Sequence, residues 1–218
     1  MDMTKKEKFA RVIEYFQLAK PIAETELVYS EPYQLIVAVI LSAQCTDKRV
    51  NIITPALFSA FPTALDMAKV EPEDILPYIK SCTYPNNKAK HLAGMAKMLV
   101  NDFKGEIPAD INLLQKLPGV GRKTANVLAS VIHNLPYIAV DTHVFRVSAR
   151  IGLTSNAKTP LQTEQQLVKY IPENLRPIAH HWLILHGRYI CHARKPLCEK
   201  CGLTDVCNFF ITHVKNKI

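Results

Sequence analysis

With 218 residues, 48% of them hydrophobic, the chain can bury a core as one large domain or two small ones. No basic segment followed by an apolar stretch opens it, and its longest aliphatic run, residues 35–41 (LIVAVIL), is far too short to span a bilayer, so membrane functions are set aside and a cytoplasmic protein is expected. The net charge of +8 is uneven: residues 1–79 hold 8 Lys and Arg against 11 Asp and Glu, residues 80–218 hold 19 against 8, and this asymmetry points to an acidic partner.

Taken in order, Thr4 and Glu7 form a capping box, Phe9, Val12, Ile13 and Phe16 recur at helical spacing, and Pro21 ends this first helix. Pro32 starts a second, YQLIVAVILSAQ, apolar nearly all round and therefore expected to be buried. Thr46 can cap the next, and further starts lie near Thr63, Glu71 and Asn87. Residues 156–175 read as looser and lead into the helix RPIAHHWLILHGRYIC. No segment alternates with period two between turn residues, so the fold class is all-α, without repeats or low-complexity linkers.

Residues 117–125 read LPGVGRKTA between two helical patterns, DINLLQKL and TANVLASVI. Gly119 and Gly121 permit a tight turn with positive φ. Arg122 and Lys123 then fall in the first turn of the following helix, where the macrodipole disfavours cations by roughly 0.3–1 kcal/mol each. Free N–H groups and two cations make an anion site, suited to a nucleic-acid backbone. A lysine that attacks a carbon must first lose its proton, and a helix N-terminus, a neighbouring arginine and partial desolvation all act in that direction.

In IAVDTHVFRV, Asp141 precedes a helix, a favoured N-cap position, and His143 beside it is a candidate for orienting the site. Four cysteines, Cys191, Cys198, Cys201 and Cys207, are spaced C-x6-C-x2-C-x5-C. Reduced thiols this close imply a metal centre. Only Cys198 and Cys201 make the short pair usual for structural zinc, which tilts the choice from zinc to iron-sulfur without deciding it. The loop between the first two cysteines carries Arg194 and Lys195, candidates for DNA phosphates. Cys45 and Cys82 read as packing residues, and His180, His181 and His186, which lack an i, i+4 metal pair, as helix packing.

The turn LPGVGRKTA, the run VDTH, the segment LSAQCTD and the cysteine spacing, in this order, resemble the endonuclease III family of helix-hairpin-helix DNA glycosylases. The resemblance implies a six-helix domain over residues 25–135, with the helix-hairpin-helix at about 111–133, and a discontinuous iron-sulfur domain from 1–24 and 136–218. It implies a [4Fe-4S] cluster on the four cysteines. The implied activity is that of a bifunctional DNA glycosylase/AP lyase of base-excision repair. Such an enzyme removes oxidised pyrimidines from double-stranded DNA and cleaves 3' to abasic sites by β-elimination through a lysine Schiff base.

Carried over residue by residue, Lys123 is the catalytic lysine, Asp141 the catalytic aspartate, and Gln44 the side chain that inserts into the duplex. In CTYPNNKA, Tyr84 stands where the family's GLYNSKA-like segment has a wedge leucine, and Pro85 follows it; this is the clearest departure. Related adenine glycosylases usually have Ser at the Lys123 position, so Lys123 argues against a monofunctional mismatch or adenine-type enzyme. A non-catalytic helix-hairpin-helix module would not need Lys123 and Asp141 together. A monomer is expected, associated with the nucleoid if the source is bacterial.

Overall fold

The computed structural model describes residues 3–215, which are helical throughout and contain no strand. The helices are α1 (Lys5–Ala19), α2 (Pro32–Ser42), α3 (Asp47–Ala60), α4 (Ala64–Ala68), α5 (Pro72–Ile79), α6 (Pro85–Phe103), α7 (Ile111–Leu114), α8 (Arg122–His133), α9 (Thr142–Ile151), α10 (Pro160–Val168) and α11 (Arg176–Tyr189). Two compact units divide the chain, one from Thr25 to His133 and the other joining the residues up to Glu24 to those from Asn134 onward.

In the first unit α2 is the central element. Residues 35–41 are all buried, from 0 to 8% exposed, and α3, α6 and α8 pack around them. Burying one such Leu or Ile side chain contributes about 1.5–3 kcal/mol, which explains why a helix without a polar face is stable here. Thr46 and Thr63 accept hydrogen bonds from Arg49 N and Asp66 N, as their positions in the sequence predict.

The second unit is discontinuous because α1 cannot bury its stripe alone. Phe9, Val12 and Phe16, on one face, are 2–4% exposed; Phe16 stacks on Trp182 of α11 with centroids 5.7 Å apart, and Phe9 on Tyr170 at 4.8 Å. Trp182 Nε1 donates to Lys20 O at 2.8 Å and so anchors the end of α1. His180 is buried against Ala139 O at 2.7 Å, and His186 lies edge-on to Phe16 with its Nε2 3.7 Å from Cys201 Sγ, so it also lines the cysteine cavity.

Three local expectations change. The helix expected near Asn87 begins at Pro85, with Tyr84 as its left-handed N-cap. Residues 160–168, within the stretch read as loose, form α10, because Thr159 caps it by accepting from Gln162 N and Pro160 fits the first turn. The pattern DINLLQKL gives only the short α7: its last residues turn by i−3 hydrogen bonds, Lys116 N to Leu113 O and Leu117 N to Leu114 O, before Pro118.

Burial, reinforced by Arg188, lowers His181 from 6.5 to about 4. The unfolded chain takes up this proton first, so the stabilising contribution is complete above about pH 6.5 and is lost as the pH falls toward 4, by roughly 3 kcal/mol. A His181→Gln variant should therefore lose less stability than wild type over that window in denaturant titrations followed by circular dichroism.

Candidate nucleic-acid interface, catalytic residues and metal centre

In the turn between α7 and α8, Val120 N bonds Leu117 O at 3.0 Å, and Ala125 N bonds Gly121 O at 2.9 Å to open α8. The two glycines differ. Gly119 has φ +81°, and a Cβ there would lie 3.0 Å from His91 Cβ and 3.2 Å from Ile40 Cγ2. Gly121 has no positive φ, contrary to the expectation for both, and a Cβ on it would meet nothing within 4 Å. Gly119 is thus required by the fold and Gly121 is not. Gly119→Ala should cost about 1–3 kcal/mol through its left-handed backbone and the crowding, measurable by equilibrium unfolding, while Gly121→Ala should leave stability within about 1 kcal/mol of wild type. Arg122 and Lys123 are both exposed, so the chain itself does not supply the desolvation expected for Lys123.

Gln44 and Tyr84, 40 positions apart, are brought together, each in the left-handed region at φ 54°. Thr83 Oγ1 donates to Gln44 O at 2.8 Å. Lys88 of α6, 5% exposed, donates to Leu41 O at 2.8 Å and Ala43 O at 2.7 Å, neutralising the carbonyl end of α2 from which the Gln44 turn departs. Sequence reasoning missed Lys88; an apolar run ending without a C-cap glycine or basic residue was the available signal. Replacement by Met removes the donor from the buried Leu41 carbonyl and the part-buried Ala43 carbonyl, so Lys88→Met should destabilise by about 1–3 kcal/mol in denaturant titrations.

Within the other unit Asp141 caps α9. Its Oδ1 accepts from His143 N and Val144 N, both at 2.8 Å, and its Oδ2 lies 3.0 Å from His143 Nδ1, with the side chain 13% exposed. The carboxylate is therefore fixed from three directions. The same helix supports the cysteine loop: Arg146 donates to Gly187 O and Cys191 O, and Arg150 to His192 O and Ala193 O, both at 2.7 Å, with its guanidinium over Phe209 at 4.5 Å. Arg194 and Lys195 are left exposed at the tip.

Cys191, Cys198, Cys201 and Cys207 line one cavity, walled by Ile151, Ile190, Leu197 and Phe210, with about 350 Å³ of empty space, part of it open to solvent. Burial pushes the Cys201 thiol up to about 11 and raises Cys198 and Cys207. Arg150 Nη1 points at Cys191 Sγ from 3.5 Å. A single zinc with Zn–S near 2.3 Å needs thiols converging on a point; among the described residues no three His, Cys, Asp or Glu are so grouped. Four thiols around a shared apolar space fit a cluster of several irons.

Residues 37–173 match the HhH-GPD superfamily of base excision DNA repair proteins, and residues 191–207 match the iron-sulfur binding domain of endonuclease III. Endonuclease III of Rickettsia conorii is 44% identical over 92% of this chain and 95% of its own, that of Bacillus subtilis 46% over 86% and 85%, and that of Escherichia coli K12 43% over 87% and 89%. The chain belongs to the endonuclease III family. Solved structures agree: an endonuclease III–DNA covalent intermediate superposes with a TM-score of 0.90 at 41% identity, covering 96% of this chain and 98% of that one. A thermostable thymine-DNA glycosylase shares the fold at a TM-score of 0.82 and 23% identity. The cofactor of this family member is a [4Fe-4S] cluster, consistent with the second match, which runs from Cys191 to Cys207.

Proposed function

We propose that this protein is a bifunctional DNA glycosylase/AP lyase of base-excision repair that acts on oxidised pyrimidines and abasic sites in double-stranded DNA. The observation that carries the reading is Lys123, exposed in the first turn of α8 beside Gly121, whose missing side chain leaves open space that the fold does not use. Such space admits a DNA backbone to the N–H groups of the helix start, with Arg122 as a second cation. A similar chain solved as a trapped covalent intermediate with DNA supports a reaction that passes through a protein nucleophile.

The target nucleotide is turned out of the stack, because its glycosidic carbon is otherwise out of reach. Gln44 and Tyr84 fill the gap, their left-handed backbones projecting both residues from one platform; an aromatic ring stacked there contributes about 1–3 kcal/mol per base. DNA closing over Lys123 supplies the desolvation that the free chain lacks. Its amine attacks C1' as the base leaves, and Asp141 accepts the amine proton and stabilises positive charge on the sugar. The resulting Schiff base acidifies the 2' hydrogen, so the 3' phosphate is eliminated. His143 holds the Asp141 carboxylate in position for this. Cys191, Cys198, Cys201 and Cys207 hold the [4Fe-4S] cluster, which, when bound, sets the loop presenting Arg194 and Lys195 to phosphates. Tyr84 in place of leucine is expected to alter the range of lesions accepted.

Borohydride reduction in the presence of a duplex with one abasic site tests the reading. A covalent protein–DNA adduct is expected. Absence of an adduct from iron-replete protein that binds the duplex would move the chain to the monofunctional or purely binding class.

A further inference from the structure

Cys45 and Cys82 take no part in the proposed reaction and belong to neither the cysteine loop nor its unit. Their Sγ atoms are nevertheless 3.8 Å apart across 37 residues of chain. Cys45 immediately follows Gln44, and Cys82 precedes Tyr84 by two residues, so the pair joins the two segments expected to enter the duplex. Access is unequal: Cys45 is half-buried, Cys82 only 5% exposed.

We propose that Cys45 and Cys82 are a covalent modification site, a dithiol oxidised reversibly by low-molecular-weight disulfides to a disulfide that locks the Gln44 and Tyr84 segments and weakens DNA binding. The effect on DNA rests on the function proposed above; the reactivity of the pair does not.

The chemistry balances as thiol–disulfide exchange. The accessible Cys45, as its thiolate, attacks one sulfur of glutathione disulfide, breaking that S–S bond and releasing one glutathione thiolate. Cys82 then attacks Cys45 Sγ, forming the protein disulfide and releasing the second glutathione. The protein pair loses two electrons and two protons, and one glutathione disulfide becomes two thiols. Burial and the adjacent Cys45 push the Cys82 thiol up to about 11, while Lys88 and Arg49 act in the opposite direction, so the more accessible Cys45 attacks first. Cys82 then needs no solvent partner, because Cys45 Sγ lies 3.8 Å from its own sulfur.

Closing the pair to the disulfide length of about 2.05 Å moves the sulfurs together by about 1.7 Å. Gln44 and Tyr84 already occupy left-handed backbone, and the Thr83–Gln44 and Lys88 hydrogen bonds already tie the two segments together. The adjustment therefore falls on the residues between the sulfurs and those anchors, which include both gap-filling side chains. Misplacement of about 1 Å in such a constellation costs up to ~10²-fold.

The iron-replete protein, equilibrated anaerobically in glutathione buffers of increasing oxidation and then alkylated, is digested for mass spectrometry. A Cys45–Cys82 cross-linked peptide, two hydrogens lighter than the free thiols, is expected, with cluster absorbance unchanged. The same sample should bind a duplex holding a reduced abasic-site analogue about tenfold or more weakly, recover on excess reduced glutathione, and show neither effect in Cys45→Ser. Glutathione on Cys45 with Cys82 still free at the oxidising limit would overturn the dithiol, and a cross-link with unchanged affinity would overturn the switch. Failure of the fully reduced protein to bind the duplex would instead count against the function proposed above and leave the cross-linking result standing.

Discussion

Lys123→Ala should abolish the borohydride-trapped adduct and lower base release and strand cleavage together, each by roughly 10³-fold or more, because in the proposed reaction one amine serves both steps. The variant is a clean probe of chemistry. Lys123 is exposed and makes no side-chain hydrogen bond or ion pair among the described residues, so its loss opens no cavity, and removing a cation from the first turn of α8 favours the helix by about 0.3–1 kcal/mol. Thermal stability should stay level or rise slightly. Affinity for a duplex with an abasic-site analogue should fall less than about tenfold, the loss of one cation among several. Base release that persists while cleavage disappears would show a hydrolytic reaction with water as nucleophile, and Lys123 would then be a phosphate contact. Loss of DNA binding in parallel with activity would point the same way.

The second large effect is expected at the cysteines. Between Cys191 and Cys207 the only helical element is the 3-10 turn Cys198–Lys200, the rest being turns and loop, and the four cysteines line one apolar cavity. Such a loop has little hydrogen-bonded structure of its own, so the free energy of holding the cluster is largely free energy of folding it. Cys198→Ser should therefore release iron and sulfide and lower the melting temperature of the unit bearing α1 and α9–α11. With several kcal/mol lost and about 2–4 °C per kcal/mol for a chain of this size, the shift is on the order of 10 °C. Metal analysis and calorimetry read both quantities. Full iron content with an unchanged melting temperature would remove Cys198 from the ligand set. Cys45→Ser, by contrast, should retain all its iron, since it lies in the other unit.

What the amino-acid sequence determined by itself was local. Capping is decided within four residues, so Thr4 with Glu7, Thr46, Thr63 and Asp141 mark helix starts that the structure has at those places. The spacing of the four cysteines, the glycine turn before Arg122 and Lys123, and the all-round apolar run of α2 are likewise short-range signals. The start of α10 at Thr159–Pro160 is a local signal of the same kind, set among polar neighbours that mask its periodicity.

Only the tertiary structure decided the rest. That Gln44 and Tyr84 share one platform depends on Lys88 reaching carbonyls 45 and 47 positions away and on Cys45 meeting Cys82, none of which leaves a periodic trace. Arg146 and Arg150 hold the cysteine loop from more than 40 residues away. Gly119 and Gly121, equivalent on the page, were separated by what surrounds them: His91 and Ile40 crowd the first, and nothing in the chain approaches the second. The physical reason is common to all of these. Backbone geometry and caps are set by neighbours in sequence, whereas burial, partner and available space belong to residues that folding alone brings near.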